Sequence, residues 1–252
     1  MPAPHPVPFR PAVATLFTAL AFAMLAGCST APPALPPAAA AEAWHAVPLP
    51  GKRETVYAWT SKEGRAALRA ESEASASMWR RQLQVAPTAL GTASWAWWVE
   101  AALPEASVQV AEREDSPARV LFGFGGDVKT LPQRTRLLFD LAAALTGEAP
   151  PYATLMYVWD AALPVGTVVI NPRTDRIRKI VVDSGASMTG RWREHERDLA
   201  ADFRLAFGEE PGPLLSIAVM TDTDNTGGRA RSWYAPVTLK PPPVRAQAPV
   251  AR

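Results

Sequence analysis

From Val219 to Gly228 the chain reads V-M-T-D-T-D-N-T-G-G. Asp222, Asp224 and Asn225 put hard oxygen donors close together, the ligand type that calcium takes. An EF-hand is excluded: counted from Asp222, position five is Thr226 and position twelve is Trp233. A calcium site here would need closing from another strand, with Asp115 or Glu114 as the further carboxylate. The competing expectation is an Asx-turn at a strand end, with Gly227 and Gly228 free to take positive φ. The turn is the plainer of the two and is preferred.

Acid–base chemistry has few other carriers. His195, inside R-E-H-E-R-D, would be a general base flanked by Glu194 and Glu196, or simply a solvated histidine, which is preferred. Beyond the first residues the chain has only His45 and His195 and no H-E-x-x-H, so zinc is not indicated. G-F-G-G-D-V has Val128 where a dinucleotide fingerprint needs its third glycine. No G-x-S-x-G elbow occurs. Asp115, Asp222 and His195 would be the acid–base set of a polysaccharide hydrolase or lyase, if folding spaced them correctly. In S-W-A-W-W-V-E, Trp95, Trp97 and Val99 share one face of a strand and belong to the core. Trp98 points the other way, either into a groove where it could stack a sugar or under the leucine-rich helix.

The elements that must position these residues read mainly as β-strands. Thr55–Trp59, Ser94–Glu100, Ala118–Phe124, Thr154–Asp160, Thr167–Ile170, Ile177–Asp183, Leu214–Asp222 and Ser232–Lys240 are rich in aromatic and β-branched residues. Strands this short and numerous predict a β-sandwich or jelly roll. Two segments predict helices. Thr130 and Gln133 have capping-box spacing before a stripe of Leu137, Leu138, Leu141 and Leu145, with Gly147 as the stop. Leu199, Phe203 and Phe207 form a second stripe. Each helix is expected to cover a sheet edge or barrel end.

The termini carry different information. Arg10 precedes an uninterrupted apolar stretch from Ala12 to Gly27, the layout of a secretory signal over residues 1–27. It closes on L-A-G-C, which resembles a bacterial lipobox, with cleavage before Cys28 and a lipid on its thiol. Cys28 is the chain's single cysteine, so disulfide, redox and thiolate-metal chemistry are excluded from the domain. By the same resemblance, Ser29 implies sorting to the outer membrane, with the domain facing the periplasm or the surface. A Pro/Ala-rich tether (28–45), a folded domain (46–240) and a proline-rich tail (241–252) follow. The net charge of +2 comes from interspersed residues without a basic run, which argues against a nucleic-acid partner. The arginines of R-T-D-R-I-R-K and R-W-R-E-H-E-R read as solvated surface.

Taken together, D-S-P-A-R-V at Asp115–Val120, Y-V-W at Tyr157–Trp159 and M-T-D-T-D-N-T at Met220–Thr226 resemble a bacterial family, domain of unknown function 3047. The resemblance spans most of Val56–Leu239, with Glu114–Asp115 where relatives often carry paired aspartates. It implies a sandwich similar to galactose-binding-like and carbohydrate-binding domains, and no particular activity. The expected function is a non-catalytic envelope lipoprotein, membrane-bound through its lipid and binding a glycan or another envelope component. Trp98, Glu114, Asp115 and Arg119 are its candidate contacts. The alternative is the polysaccharide-active enzyme.

Overall fold

A computed structural model describes residues 44–242. Cys28, the signal segment, most of the tether and the tail from residue 243 lie outside the described residues. Thirteen strands follow in chain order: β1 (Trp44–Pro48), β2 (Val56–Lys62), β3 (Arg65–Glu73), β4 (Ser77–Val85), β5 (Thr92–Val99), β6 (Ser116–Phe124), β7 (Ala153–Asp160), β8 (Val168–Ile170), β9 (Ile177–Ser184), β10 (Trp192–Asp198), β11 (Leu214–Asp222), β12 (Arg229–Tyr234) and β13 (Thr238–Lys240). Helix α1 (Gln133–Thr146) joins β6 to β7, and α2 (Leu199–Phe207) follows β10 directly.

The strands form two layers. One sheet has the order β1-β4-β11-β6-β7-β9-β8, and the other β10-β5-β12-β3-β2 with β13 also paired to β5. Pairing is antiparallel except between β7 and β9. The fold is therefore mainly β, a sandwich as the alternating segments predict. Every one of those eight segments is in a strand, but the last is broken in two around Pro236, which separates β12 from β13.

Period-two alternation decides what each sheet buries. Trp95, Trp97 and Val99 of β5 face inward against Val120 and Phe122 of β6 and Tyr157 and Trp159 of β7. Trp95 stacks on Tyr157 with ring centroids 4.8 Å apart. Helix α2 packs against β9 and β10 at the side of the sandwich, adding Leu199, Phe203 and Ala206 to the core. Asp198 caps it by accepting from the Ala201 N–H at 2.9 Å, and Gly208 ends it in the left-handed region.

Helix α1 departs from expectation at both its start and its face. Pro132 precedes it without a side-chain cap, and Thr130 ends a separate short 3-10 turn, so no capping box forms. Gly147 does end it, in the left-handed region. Its leucine stripe is not buried against a sheet: Leu137, Leu138, Leu141 and Leu145 are 60, 44, 56 and 64% exposed.

Candidate functional site

The outward positions of the seven-stranded sheet build the site. Neighbouring strands place Met78 of β4, Met220 of β11 and Arg119 of β6 side by side. The next outward positions are Ala218, Leu121 and Met156, partners across β11, β6 and β7. These residues floor a groove of about 780 Å³. Val47–Pro50 and Lys52 wall one side, and Ala142, Leu145 and Glu148–Pro151 rise over another. Gly123 allows that approach, since a Cβ there would lie 2.8 Å from the Pro151 ring and 2.4 Å from Ser216 Oγ.

A buried charge cluster closes the groove where β6 begins and β11 ends. Asp222 accepts from Arg119 through both oxygens, from Nε to Oδ1 and Nη2 to Oδ2, each at 2.9 Å. Arg119 also donates to the Glu114 carbonyl. The Glu114 carboxylate takes Lys179 Nζ, Asn171 Nδ2 and Arg173 Nη1, each at 2.7 Å. Burial disfavours ionisation of Asp222 and pushes its carboxyl up to about 7, aided by Asp115 and Asp224 and opposed by Arg119. Burial and the Arg119 charge bring Lys179 down to about 8, with Glu114 pulling the other way. Asp222 and Asp115 hold Arg119 and the loop respectively, so the cluster is built of matched partners rather than bare charges.

Asp115, Asp222 and Asp224 do converge, each offering an oxygen within 4.8 Å of the others. Each already has protein partners. Asp115 accepts from the Asn225 N–H at 3.1 Å, and from the Thr226 N–H and hydroxyl at 2.7 and 2.6 Å. Asp224 is ion-paired to Lys52. Asn225 Nδ2 donates to the Ala111 carbonyl at 3.0 Å. The loop is thus clasped by a carboxylate from before β6 rather than by its own Asx side chains, while Gly227 takes the positive φ, 69°. A cation entering would have to displace Lys52 and compete with Arg119 for Asp222.

Residues 42–238 match the model of the family described as "Protein of unknown function (DUF3047)". The chain belongs to that family. No curated protein matches at a significant level. Among solved structures, this DUF3047 member is similar to the xyloglucanase domain of NopAA, a type three effector from Sinorhizobium fredii, in complex with cellobiose. That match has 8% identity and a TM-score of 0.41, covering 79% of this chain and 92% of the other. It is also similar to endoglucanase 3 of Trichoderma harzianum, from family GH12, at 8% identity and a TM-score of 0.40, covering 79% and 91%. At these values the likeness carries no argument about activity.

In this DUF3047 chain the remaining candidates lie elsewhere. His195 is on β10 of the other sheet, facing inward between Trp95 and Trp97, with centroids 5.1 and 4.9 Å away. It is half-buried rather than solvated, because alternation turns Glu194 and Glu196 to the opposite face. Its partner is Asp183 of β9, whose Oδ2 lies 2.8 Å from His195 Nε2 and accepts from Trp97 Nε1 at 2.8 Å. Arg193 donates to Asp183 Oδ1 at 2.9 Å. Trp98 faces outward from the small sheet, far from α1's leucines. It meets Trp233 edge-on, donates to Glu63 at 3.0 Å and lies under the Lys62 ammonium.

The arginine-rich segments are correspondingly less solvated than their composition suggests. Arg176 is buried against Glu209, and Lys179 is fully enclosed. Of the four proposed contacts, Glu114 and Arg119 line the groove, Asp115 lies behind the loop it clasps, and Trp98 is in the other layer. Sequence reasoning missed Asn171, Arg173, Lys179 and the methionines of the floor. For Lys179 and the methionines the signal was the outward register of β4, β7, β9 and β11, which only strand pairing aligns, whereas Asn171 and Arg173 lie in the connection between β8 and β9.

Proposed function

We propose that the chain is a non-catalytic binding protein of the cell envelope, anchored to the outer membrane through a lipid on Cys28. Its ligand lies in the groove over the seven-stranded sheet. The groove itself carries this reading. Its 780 Å³ falls in the range of about 300–1,000 Å³ typical of ligand sites. Met78, Met156 and Met220 give it a floor that can repack around an irregular apolar shape. Among the described residues that line it there is no aromatic ring for a sugar to stack on. This favours an amphiphilic envelope component over a bare glycan, its apolar part on the methionines and its polar part toward Lys52, Asn225 and Arg173.

The test uses the chain carrying Cys28→Ser, so that no attached lipid competes. A fluorescent acyl-chain probe should bind saturably and be displaced by envelope lipid extract. Ala218→Phe, which fills the floor, should weaken it at least about tenfold, as a bulky ring excludes a chain from a pocket this size. Absence of saturable binding would sink the amphiphile reading, and saturable binding of free oligosaccharides instead would restore the glycan.

One observation favours an enzyme acting on polysaccharide. Asp222 lines the groove with its carboxyl pushed up to about 7, where a general acid works at neutral pH. Against it, both Asp222 oxygens are held by Arg119 and the Glu114 carboxylate is held by three side chains. Release of reducing ends from a polysaccharide, abolished by Asp222→Asn, would decide for the enzyme.

A further inference from the structure

Helix α1 is an anomaly in a well-packed molecule. None of its residues is buried, whereas α2, which is shorter, buries Leu199, Asp202, Phe203 and Ala206. It is helical because Leu, Ala, Arg and Gln are good helix formers and Gly147 closes its end. Its apolar residues are nevertheless ordered into one stripe, Leu137, Leu141 and Leu145 at four-residue spacing with Leu138 beside them, and the stripe faces water. An ordered apolar stripe left exposed marks a contact surface.

The charges around the stripe say what kind. Lys129 and Arg134 are exposed at the N-terminal end of the helix. Arg136 is held by the Lys129 carbonyl, not by a carboxylate. Asp140 is the one acid within the helix. Leucines with Lys129, Arg134 and Arg136 gathered at their N-terminal end, against the acids Asp127 and Asp140, match the boundary of a bilayer containing anionic lipid, with the leucines among the upper acyl carbons and the cations at the headgroups. The stripe also runs into the groove, because Leu145 both lines it and stands 64% exposed.

We propose that the leucine face of α1 seats on an anionic lipid bilayer, bringing the mouth of the groove against the membrane surface. This goes beyond the amphiphile reading but takes from it that the domain is tethered beside a membrane. Seated there, an acyl chain could pass from the bilayer to the methionine floor along Leu145 without crossing water.

The experiment is flotation of the Cys28→Ser chain with vesicles of phosphatidylethanolamine and phosphatidylglycerol. The parent should float with the vesicles, and less so as salt rises. Leu137→Gln combined with Leu141→Gln should lower the vesicle-bound fraction about tenfold or more. Leu205→Gln, at a leucine 63% exposed on α2, should leave it unchanged. Circular dichroism of each variant checks that the fold is kept. The proposal is overturned if the parent does not float, or if the α1 and Leu205 changes act alike. It is also overturned if the α1 changes dissolve a dimer seen by sedimentation while no vesicles are bound, which would make the occupant a second copy. Acyl-probe binding, measured without vesicles, reports the groove separately. Probe binding lost in the α1 variants with flotation unchanged would make the helix a lid instead.

Discussion

At the scale of single residues, Asp183 shows how a carboxylate can be enclosed in a hydrophobic layer. It projects from the large sheet and takes three donors, Trp97 Nε1, Arg193 Nε and His195 Nε2, all from the small sheet. Burial works against its charge, but the bonds from His195, Trp97 and Arg193 outweigh that and hold its pKa below the ordinary carboxylate value. The folded state therefore binds the proton less readily than the unfolded chain. The resulting stability is fully present above the unfolded value, about 3.9, and is lost as pH falls through the lower folded value. Urea unfolding between about pH 2 and 4 should show stability rising with pH as Asp183 ionises. Asp183→Asn should flatten that rise and cost about 1.5–3 kcal/mol at neutral pH, since charged hydrogen bonds become neutral ones. An unchanged profile would mean the clasp does not hold the layers together. None of this was legible beforehand, because H-E-R in isolation reads as surface, and only the pairing of β10 with β5 turns His195 inward.

At the scale of elements, the two helices make opposite forecasts from similar-looking stripes. Phe203 is fully buried, 4.7 Å from the Phe124 ring and 4.4 Å from Phe207. Phe203→Ala should cost about 3–5 kcal/mol through the cavity it leaves. Leu141→Gln should change stability by no more than about 0.5 kcal/mol, because the side chain already stands in water. Chemical unfolding of both variants checks the contrast, and a large loss in Leu141→Gln would mean that α1 packs more tightly than its exposure shows. Periodicity finds a stripe, but what a stripe faces depends on the connections around it. The strands divide in the same way. Those rich in aliphatic and aromatic residues, such as β5, β6, β7 and β11, are readable because they are buried on one or both faces. β3 (R-A-A-L-R-A-E-S-E), β4 (S-M-W-R-R-Q-L-Q-V) and β10 (W-R-E-H-E-R-D) carry enough charge to pass for surface or helix. Several of their arginines are accommodated by ion pairs to neighbouring elements, as Arg80 with Glu148 beyond α1 and Arg197 with Asp202 of α2.

For the whole molecule, the sandwich uses its two sheet faces differently. Between the layers, aromatic rings pack around the Asp183 clasp, while the outer face of the large sheet carries aliphatic and methionine side chains ending in a paired charge cluster. Glu114, Arg119 and Asp222 were each recognisable as candidates because they sit in the densest motifs of the chain, but their joining into one cluster was not. The groove they close was not, because strands distant in sequence supply its floor. A floor left open to water is apolar area that a ligand can bury without rearranging the core. Binding to the folded state alone should then stabilise it by RT ln(1 + [L]/Kd), about 2.7 kcal/mol at a hundredfold excess over Kd. For a domain of this size that is a rise of roughly 2–4 °C in melting temperature. Ala218→Phe should abolish the ligand-induced rise, and Asp183→Asn should lower the starting melting temperature while leaving the rise intact. The two changes lie on opposite faces of the same sheet, more than one layer of side chains apart, so their effects should add. Melting curves of the Cys28→Ser chain and of both variants, with and without an acyl-chain amphiphile, measure this directly. If Asp183→Asn removed the ligand-induced rise as well, the ligand would be entering between the sheets, and the outer groove would not be its site.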